Sequence, residues 1–532
     1  MKSPKKIPIL VSAILLLCSC VPFHSSSAGD STKPNDNTGT TIDSGSSDTS
    51  SESSSVSSED TSSSSQEVNS GVFQFYCVND FHGAIIEGYD GNRYEAGIKK
   101  YFSKLAKLRE ADPEHTILLS AGDMYQGSLE SNINYGALVT EAMNVTGFEA
   151  MTIGNHEWDY GPERLKDNIK LARFPVLAGN IVDYHDHSLP WDGGSQISTI
   201  IEKAGVKIGV VGMIGFGQTT SITAKHVQDL DFINPEPLAI AEAERLKKQE
   251  GCKLTLLVIH DDADAVLGWE KEKELGNYFD GVFCGHTHKR NLTVHDGVPL
   301  VQSYNNGRAI SHIEITLKEG AAKASKWDIL QADPSWENSG VIDQVYDKYL
   351  NKEEYTSKAH ATAGVLSEAL DNLGVARLGT KAIYEKYHKE QPTLACAIEN
   401  KQRATLPEGR VSYSQLYKCT PFTNNIVLMN VLGSEIKRQA KYSVIYVGDP
   451  SLFANLNDDQ TYLVAVIDYL AYHQDTKKRY NYFPGLNSGE DTIVKEYEDY
   501  PMDISFEYLK TLGEHIDASL FDAADPHYGS HA

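Results

Sequence analysis

The chain has 532 residues, a formal net charge of −25 and 40% hydrophobic residues. So acidic a chain lacks the basic footprint that general nucleic-acid binding needs, and it leaves the approach of anionic ligands to local positive charge. Seven cysteines, an odd number, exclude a full disulfide framework.

The first twenty residues address a compartment. Lys2, Lys5 and Lys6 precede an apolar stretch from Ile7 to Leu17, the layout of a secretory signal and too short for a comfortable membrane span. Leu17-Cys18-Ser19-Cys20 resembles a bacterial lipobox, which makes Cys20 the expected lipidated residue after cleavage. An ordinary signal cut near Ser27-Ala28-Gly29 is the alternative. Residues 21–70 are Ser, Thr, Asp and Gly with almost nothing to bury. Such a segment cannot offset its ordering entropy and is expected to be a disordered tether. No later segment is long and apolar enough to cross a membrane. The expectation is a body outside the cytoplasm, attached to the cell membrane through the lipid alone.

Beyond residue 70, five short apolar runs each end in a polar cluster. Val72–Val78 leads into Asn79-Asp80-Phe81-His82-Gly83, and Thr116–Ala121 leads into Gly122-Asp123. Ala150–Ile153 leads into Gly154-Asn155-His156-Glu157, Leu254–Ile259 ends at His260, and Gly281–Cys284 leads into Gly285-His286-Thr287-His288. Short apolar runs are how buried strands of a layered α/β sheet read. Ligands in such sheets collect beyond the carboxyl ends of the strands, so one site built from five strand ends is the economical reading. Asp, His and Asn donors without thiolate suit divalent ions of intermediate hardness, such as zinc, manganese or iron. The donors are too many for one tetrahedral ion and fit two ions sharing a carboxylate. A single Asp-x-His pair is more often structural than ligating; five clusters in this order are another matter.

Between these runs, Ala96–Arg109 and Pro237–Gln249 have helical spacing, while Val206–Met213 and Val298–Tyr304 read as strands. His312–Leu317 alternates and is expected to close the domain as an edge strand. An α/β/β/α sandwich follows. Trp336, Val341, Val345, Tyr346 and Tyr349 recur at helical spacing, as a connecting helix or as the first helix of a second domain.

The clusters resemble the motifs of calcineurin-type metallophosphoesterases, most closely the secreted 5′-nucleotidase and UDP-sugar hydrolase branch. The residues that carry the likeness are Asn79–Gly83, Gly122-Asp123-Met124-Tyr125-Gln126-Gly127, Gly154-Asn155-His156-Glu157-Trp158-Asp159 and Gly285–His288. The resemblance implies Asp80, His82, Asp123 and His288 around one metal. It implies Asp123, Asn155, His260 and His286 around the other, with Asp123 bridging. Two such ions supply hydroxide near neutral pH for in-line attack on phosphorus and polarise the phosphoryl oxygens. A donor near the developing charge is then useful. His156, next to Asn155, is the candidate, with Asp159 three residues on to orient it. Asp261, Asp262 and Asp264 are expected to be solvated rather than ligating.

Residues 361–532 resemble the carboxy-terminal domain of the same nucleotidases, through Gly409–Leu416, Pro421-Phe422-Thr423-Asn424-Asn425 and Leu432–Ile436. In that family the domain holds the nucleoside with its base between two aromatic rings. The match departs in two places. The glycine-rich Asn-x-Gly-Gly-x-Arg loop appears as Asn400-Lys401-Gln402-Arg403, and the Gly-Gly-Asp stretch at best as Ser488-Gly489-Glu490-Asp491. Losing glycine removes close backbone approach and should reshape the pocket. The implied substrate contacts are Asn400, Arg403, Phe422, Asn424, Phe483 and Asp491, with Tyr480 or Tyr482 as other choices for the second ring. Cys77, Cys252 and Cys284 are expected as buried thiols, and Cys396 could pair with Cys419.

The expected plan is a signal at 1–20, a tether at 21–70, a catalytic domain at 71–322, a linker with a helix at 323–360 and a substrate domain at 361–532. The fold class is α/β, with a smaller α+β second domain. The expected activity is hydrolysis of small phosphate esters, nucleotides foremost. The alternatives are a 2′,3′-cyclic-nucleotide or UDP-sugar phosphodiesterase, or a metal-binding lipoprotein without turnover; the complete ligand set favours an enzyme. If Cys20 carries the anchor, Cys20→Ser should move the protein from the membrane fraction into the medium. Retention of the variant on membranes would assign the attachment elsewhere.

Overall fold

The protein is described here from a computed structural model, over residues 70–189, 196–389, 395–399, 402–439, 444–472 and 483–522. Cys20, the tether, Asn400, Tyr480 and Tyr482 lie outside the described residues.

Two six-stranded sheets form the catalytic domain. The first runs in the order Ala321–Gln331, Ala309–Lys318, Gly71–Val78, Thr116–Ser120, Ala150–Thr152 and Val176–Leu177. Its last four strands are parallel. The second runs Arg290–His295, Val298–Ser303, Gly281–Phe283, Leu254–His260, Val206–Ile214 and Ser198–Lys203, with a parallel centre and antiparallel edges.

Period-two alternation sets the layers. Phe73, Phe75 and Cys77 point from the first sheet to Leu254, Leu256 and Val258 of the second, and all are buried. The opposite face carries Tyr76 and Val78, which pack on Ile98, Phe102 and Leu105 of helix Gly97–Ala111 and on Leu138 and Met143 of helix Ala137–Thr146. Leu257 and Ile259 meet Ala239, Ala243 and Leu246 of helix Pro235–Lys248. That helix begins with Asn234 accepting from the Glu236 amide and with Pro235 in its first turn, and it ends on Arg245, Lys247 and Lys248. Each feature satisfies or complements a helix terminus. The result is the expected α/β/β/α sandwich.

One expected edge is internal. Ala309–Lys318 pairs with Gly71–Val78 on one side and with Ala321–Gln331 on the other. Glu319 and Gly320, both at positive φ, turn the chain back into that extra strand. The first sheet therefore extends to Gln331, into the segment expected to be linker. The helical spacing after residue 335 resolves into two short helices, Asp343–Leu350 and Glu353–Ala359.

The second domain has a three-stranded sheet, Gly409–Ser412, Thr362–Leu366 and His515–Ile516. Its five-stranded sheet runs Val444–Val447, Ala395–Glu399, Thr461–Ile467, Ile426–Leu432 and Thr492–Tyr497. The smaller sheet's Val411, Leu366 and Ile516 share one hydrophobic core with the catalytic domain, whereas the larger sheet has its own. Helix Tyr413–Cys419 and the residues after it seat the domain. Gln126 Nε2 donates to Pro421 O at 2.8 Å, Asn132 Nδ2 to Tyr417 Oη at 2.9 Å, and Lys418 Nζ lies 2.6 Å from Glu95 Oε2. Cys77, Cys252, Cys284 and Cys419 are buried free thiols; the side chain of Cys396, considered as a partner for Cys419, lies outside what the structure describes. No described helix is long and apolar enough to cross a membrane.

Candidate metal centre

Every ligand candidate sits at the carboxyl end of a parallel strand. Asp80 and His82 follow Gly71–Val78, Asp123 follows Thr116–Ser120, and Asn155 follows Ala150–Thr152. His260 ends Leu254–His260, and His286 and His288 follow Gly281–Phe283. The turns are tight. Asp80, His82, Asp123, His286 and His288 all have positive φ, between 50° and 71°. Non-glycine residues held there cost on the order of 1–3 kcal/mol each and cluster at functional sites. Two glycines allow the approach: a Cβ on Gly122 would fall 2.6 Å from Gly154 N, and one on Gly154 would fall 2.3 Å from Asp123 Oδ1.

The side chains gather into two groups, Asp80 with His82 and His288, and Asp123 with His260 and His286. His82 Nε2 is 2.9 Å from His288 Nε2, which is 3.4 Å from Asp80 Oδ1. His260 Nε2 is 3.2 Å from Asp123 Oδ2 and 3.0 Å from Asn155 Oδ1; His286 Nδ1 is 2.9 Å from the same Asn155 oxygen. Donors bonded to one ion at about 2.0–2.2 Å necessarily stand about 3 Å apart, so these spacings fit two ions.

A polar orphan supports the fit. Asp123 Oδ2 is buried with no hydrogen-bond partner, and it faces His260 of one group at 3.2 Å and His82 of the other at 3.9 Å. His82 Nδ1 donates to Gln126 O at 3.0 Å and His260 Nδ1 to Ala121 O at 2.7 Å. Such outer bonds aim the other ring nitrogen inward. Burial lowers His82 and pushes His286 down to about 4, which keeps both neutral as ligands must be. Burial would lower His260 too, but the Asp123 carboxylate raises it to about 10. A proton on His260 and a divalent ion answer the same uncompensated carboxylate.

A cavity of about 800 Å³ opens on this centre. His82, Asp123, Asn155, His286 and His288 line it from the catalytic domain, as does His156. His156 Nδ1 is 2.8 Å from Asp159 Oδ2, and its Nε2 is 2.6 Å from Arg403 Nη2 of the second domain.

Residues 73–290 match the calcineurin-like phosphoesterase family, and residues 360–443 match the 5′-nucleotidase C-terminal domain. Residues 73–290 are thus a calcineurin-like phosphoesterase domain, followed by a 5′-nucleotidase C-terminal domain. The "Probable 5′-nucleotidase" of Treponema pallidum is 23% identical over 428 residues, 65% of this chain and 70% of its own. Protein UshA of Yersinia enterocolitica is 24% identical over 515 residues, 80% of this chain and 91% of its own. The crystal structure of a 5′-nucleotidase precursor from Thermus thermophilus has a TM-score of 0.67 at 19% identity, covering 84% of this chain and 97% of that one. This phosphoesterase is therefore a metal-dependent phosphoester hydrolase of the 5′-nucleotidase type, with two groups of candidate ligands for the divalent metals of its family.

Of the phosphoesterase's substrate candidates, Arg403, Phe422 and Asn424 line the cavity. The Arg403 guanidinium lies 5.4 Å from the Phe422 ring centre. Asn424 Nδ2 donates to Asp468 Oδ1 at 2.8 Å, and Asp468 Oδ2 takes Lys225 Nζ at 2.8 Å. Phe483 and Asp491 do not reach the cavity. Each is 1% exposed. Phe483 packs in the core of the five-stranded sheet, and Asp491 accepts from Leu432 N at 2.9 Å. The intervening helix Gly485–Ser488 lies against Asp491 so closely that a Cβ on Gly485 would fall 2.0 Å from its Oδ2. Of the three acids after His260, only Asp264 is exposed; Asp262 caps helix Ala263–Leu267 and pairs with Lys289 at 2.6 Å, and Asp261 is half-buried.

Two residues escaped the sequence reading. Tyr469 is a second cavity-lining ring beside Phe422 and Asn424. The pairing of Ile426 with Ile467 brings it there, with Asp468 N donating to Asn425 O at 2.9 Å. The available signal was one more apolar run, Tyr462–Ile467, ending in Asp468-Tyr469. Glu157 is the other. Its buried carboxylate accepts from the amides of Asp123, Met124 and Gly154, each at 2.7 Å, and so ties two ligand turns together. Burial, and then Asp123, raise it to about 7.

Asp123→Ala should reduce bound metal from two ions per chain to one or none, with hydrolysis of a small aryl phosphate falling by more than about 100-fold. Metal analysis that still finds two ions alongside full activity would refute this. Glu157→Gln puts an amide N–H against backbone N–H groups, so metal affinity should fall about 10- to 100-fold, as for other groups that orient ligands. A competition titration with a chelating dye reads it.

Proposed function

We propose that the protein is a 5′-nucleotidase held outside the cytoplasm by a lipid on Cys20, releasing phosphate from nucleoside monophosphates. The observation that carries the substrate class is one cavity shared by the metal ligands, two aromatic rings and a paired amide, namely Phe422, Tyr469 and Asn424. Zinc, manganese or iron suits the donor set. Bound divalent ions supply a nucleophile near neutral pH and polarise the phosphoryl oxygens.

The chain's own residues do the rest. Phe422 and Tyr469 offer faces to a planar base, and stacking of this kind tolerates any base. Asn424 and Asp468 meet the polar edge of the nucleoside, with Lys225 balancing the carboxylate. Asp159 fixes the His156 ring through Nδ1, leaving Nε2 to face the leaving oxygen. Arg403 now occupies Nε2. A phosphoryl group draws that guanidinium to itself and frees Nε2 of His156, which takes a proton from solvent and gives it to the departing alkoxide.

Phe422→Ala and Tyr469→Ala should each lower kcat/KM for a nucleoside monophosphate by about 5- to 150-fold, the equivalent of about 1–3 kcal/mol of stacking. Hydrolysis of 4-nitrophenyl phosphate, which needs only the metals, serves as the control. Equal losses on both substrates, or no nucleotide turnover by the unmutated protein, would remove the nucleotidase assignment. His156→Ala should leave metal content intact and slow hydrolysis by about 10²-fold or more; a near-normal rate returns His156 to a structural role.

A further inference from the structure

His82, His260 and His288 each turn Nε2 toward the candidate ligand groups and Nδ1 outward, but the outward nitrogens are not held alike. His82 Nδ1 and His260 Nδ1 donate to the backbone carbonyls of Gln126 and Ala121, fixed acceptors that leave the inner nitrogen free to ligate. His288 has Nε2 2.9 Å from His82 Nε2 and 3.4 Å from Asp80 Oδ1. Its Nδ1 meets a side-chain amide instead, with Asn305 Nδ2 at 3.2 Å.

A strained turn delivers that amide. Tyr304, Asn306 and Gly307, which follow strand Val298–Ser303, have φ of 45°, 53° and 65°, and Asn306 N donates to Asp80 O at 2.8 Å. Non-glycine residues held at positive φ gather at functional sites. Just beyond the turn, Arg308 Nη1 donates to Asn305 Oδ1 at 3.1 Å. Arg308 is buried and its charge is already met, with Nη2 2.7 Å from both Asp90 Oδ2 and Glu95 Oε1. Its Nε finds no acceptor, so acceptors are scarce around this guanidinium.

Hydrogen-bond polarity then sets up a conflict. A guanidinium only donates, so Arg308 fixes the Asn305 oxygen on its own side and leaves the amide nitrogen facing His288. An imidazole that ligates through Nε2 carries its proton on Nδ1 and needs an acceptor there. Turning the amide over would satisfy His288, but it would set two donors, Asn305 Nδ2 and Arg308 Nη1, against each other. Among the described contacts no other acceptor lies against His288 Nδ1. Leaving a donor unmet costs more than a typical hydrogen bond contributes.

We propose that Arg308 and His288 compete for the one oxygen of Asn305, so that Arg308 sets how firmly the group of Asp80, His82 and His288 holds its ion. The group of Asp123, His260 and His286 is unaffected. Asn305 and Arg308 are positioning residues that act through His288. The competition rests on the reading of both groups as metal sites and is independent of the substrate.

Arg308→Lys keeps a cation for Asp90 and Glu95 but gives up the second arm that reaches Asn305. Zinc titration of the metal-stripped full chain against a chelating dye reads the two ions without turnover. Arg308→Lys should tighten one ion about 10-fold or more, the size of other changes in groups that orient ligands, and leave the other as it was. His288→Ala should abolish the step that Arg308→Lys moves, which assigns it. In an Asn305→Ala background no oxygen is contested, and Arg308→Lys should have no effect; a merely structural role of Arg308 predicts the same shift in both backgrounds. Asn305→Asp accepts from both neighbours and should tighten the same ion with Arg308 intact, which covers the case of an Arg308 variant that does not fold. Two zinc ions that are unchanged or equally weakened in Arg308→Lys, or a shift that persists without the Asn305 side chain, overturn the competition and keep the metal centre. Fewer than two ions on the unmutated chain remove the two-metal reading and the competition with it.

Discussion

Asp123 carries a carboxylate oxygen that is buried and accepts no hydrogen bond from the protein. It faces the His260 imidazole at 3.2 Å, and a buried carboxylate so sparsely partnered is costly to hold. Much of the catalytic domain is arranged around it. Glu157 grips the backbone on either side, His156 N donates to the other carboxylate oxygen at 2.8 Å, and the imidazoles of His82 and His260 are turned inward by carbonyls. Left-handed backbone at five ligand positions is the strain this convergence requires. It persists because the two sheets behind it are packed on both faces. Divalent ions held by these residues would share with His260 the compensation of that carboxylate.

The second domain completes the cavity, and among the described residues it adds none to the two groups of candidate metal ligands. Its attachment is itself an electrostatic commitment. Burial would raise the pKa of Glu95, yet Lys418 and then Arg308 hold it below the usual carboxylate range. Lys418 belongs to the second domain, so separating the domains would take one cation from a carboxylate that is almost fully buried. The shared apolar core around Val411, Leu416 and Tyr417 acts in the same direction. Arg403 and Phe422 are thereby held against His156.

The fold limits the chemistry but leaves the substrate to side chains in the cavity. The strand-end ligand candidates lie in a phosphoesterase domain. The other side chains that line the cavity are the candidates for choosing the ester.

That the candidate ligands gather at one place was legible because each donor lies within a few residues of an apolar run, and strand ends in such sheets converge by topology. Phe422, Asn424 and Arg403, which line the cavity, stood out in the chain as short local patterns in the second domain. What the sequence could not settle was pairing across distance. The register of Ile426 on Ile467 puts Tyr469 at the cavity, and the strand Ala321–Gln331 makes an expected edge internal. Phe483 and Asp491 looked like ligand contacts because aromatic and acidic side chains suit either a pocket or a buried position against backbone. Only the packing of Phe483 in its core and the amide on Asp491 distinguish the two. Glu157 stood in plain view within a motif, but its function depends on three backbone amides that converge only after the strands have paired. Local chemistry is written along the chain; the partner that gives a side chain its use is chosen by the sheet.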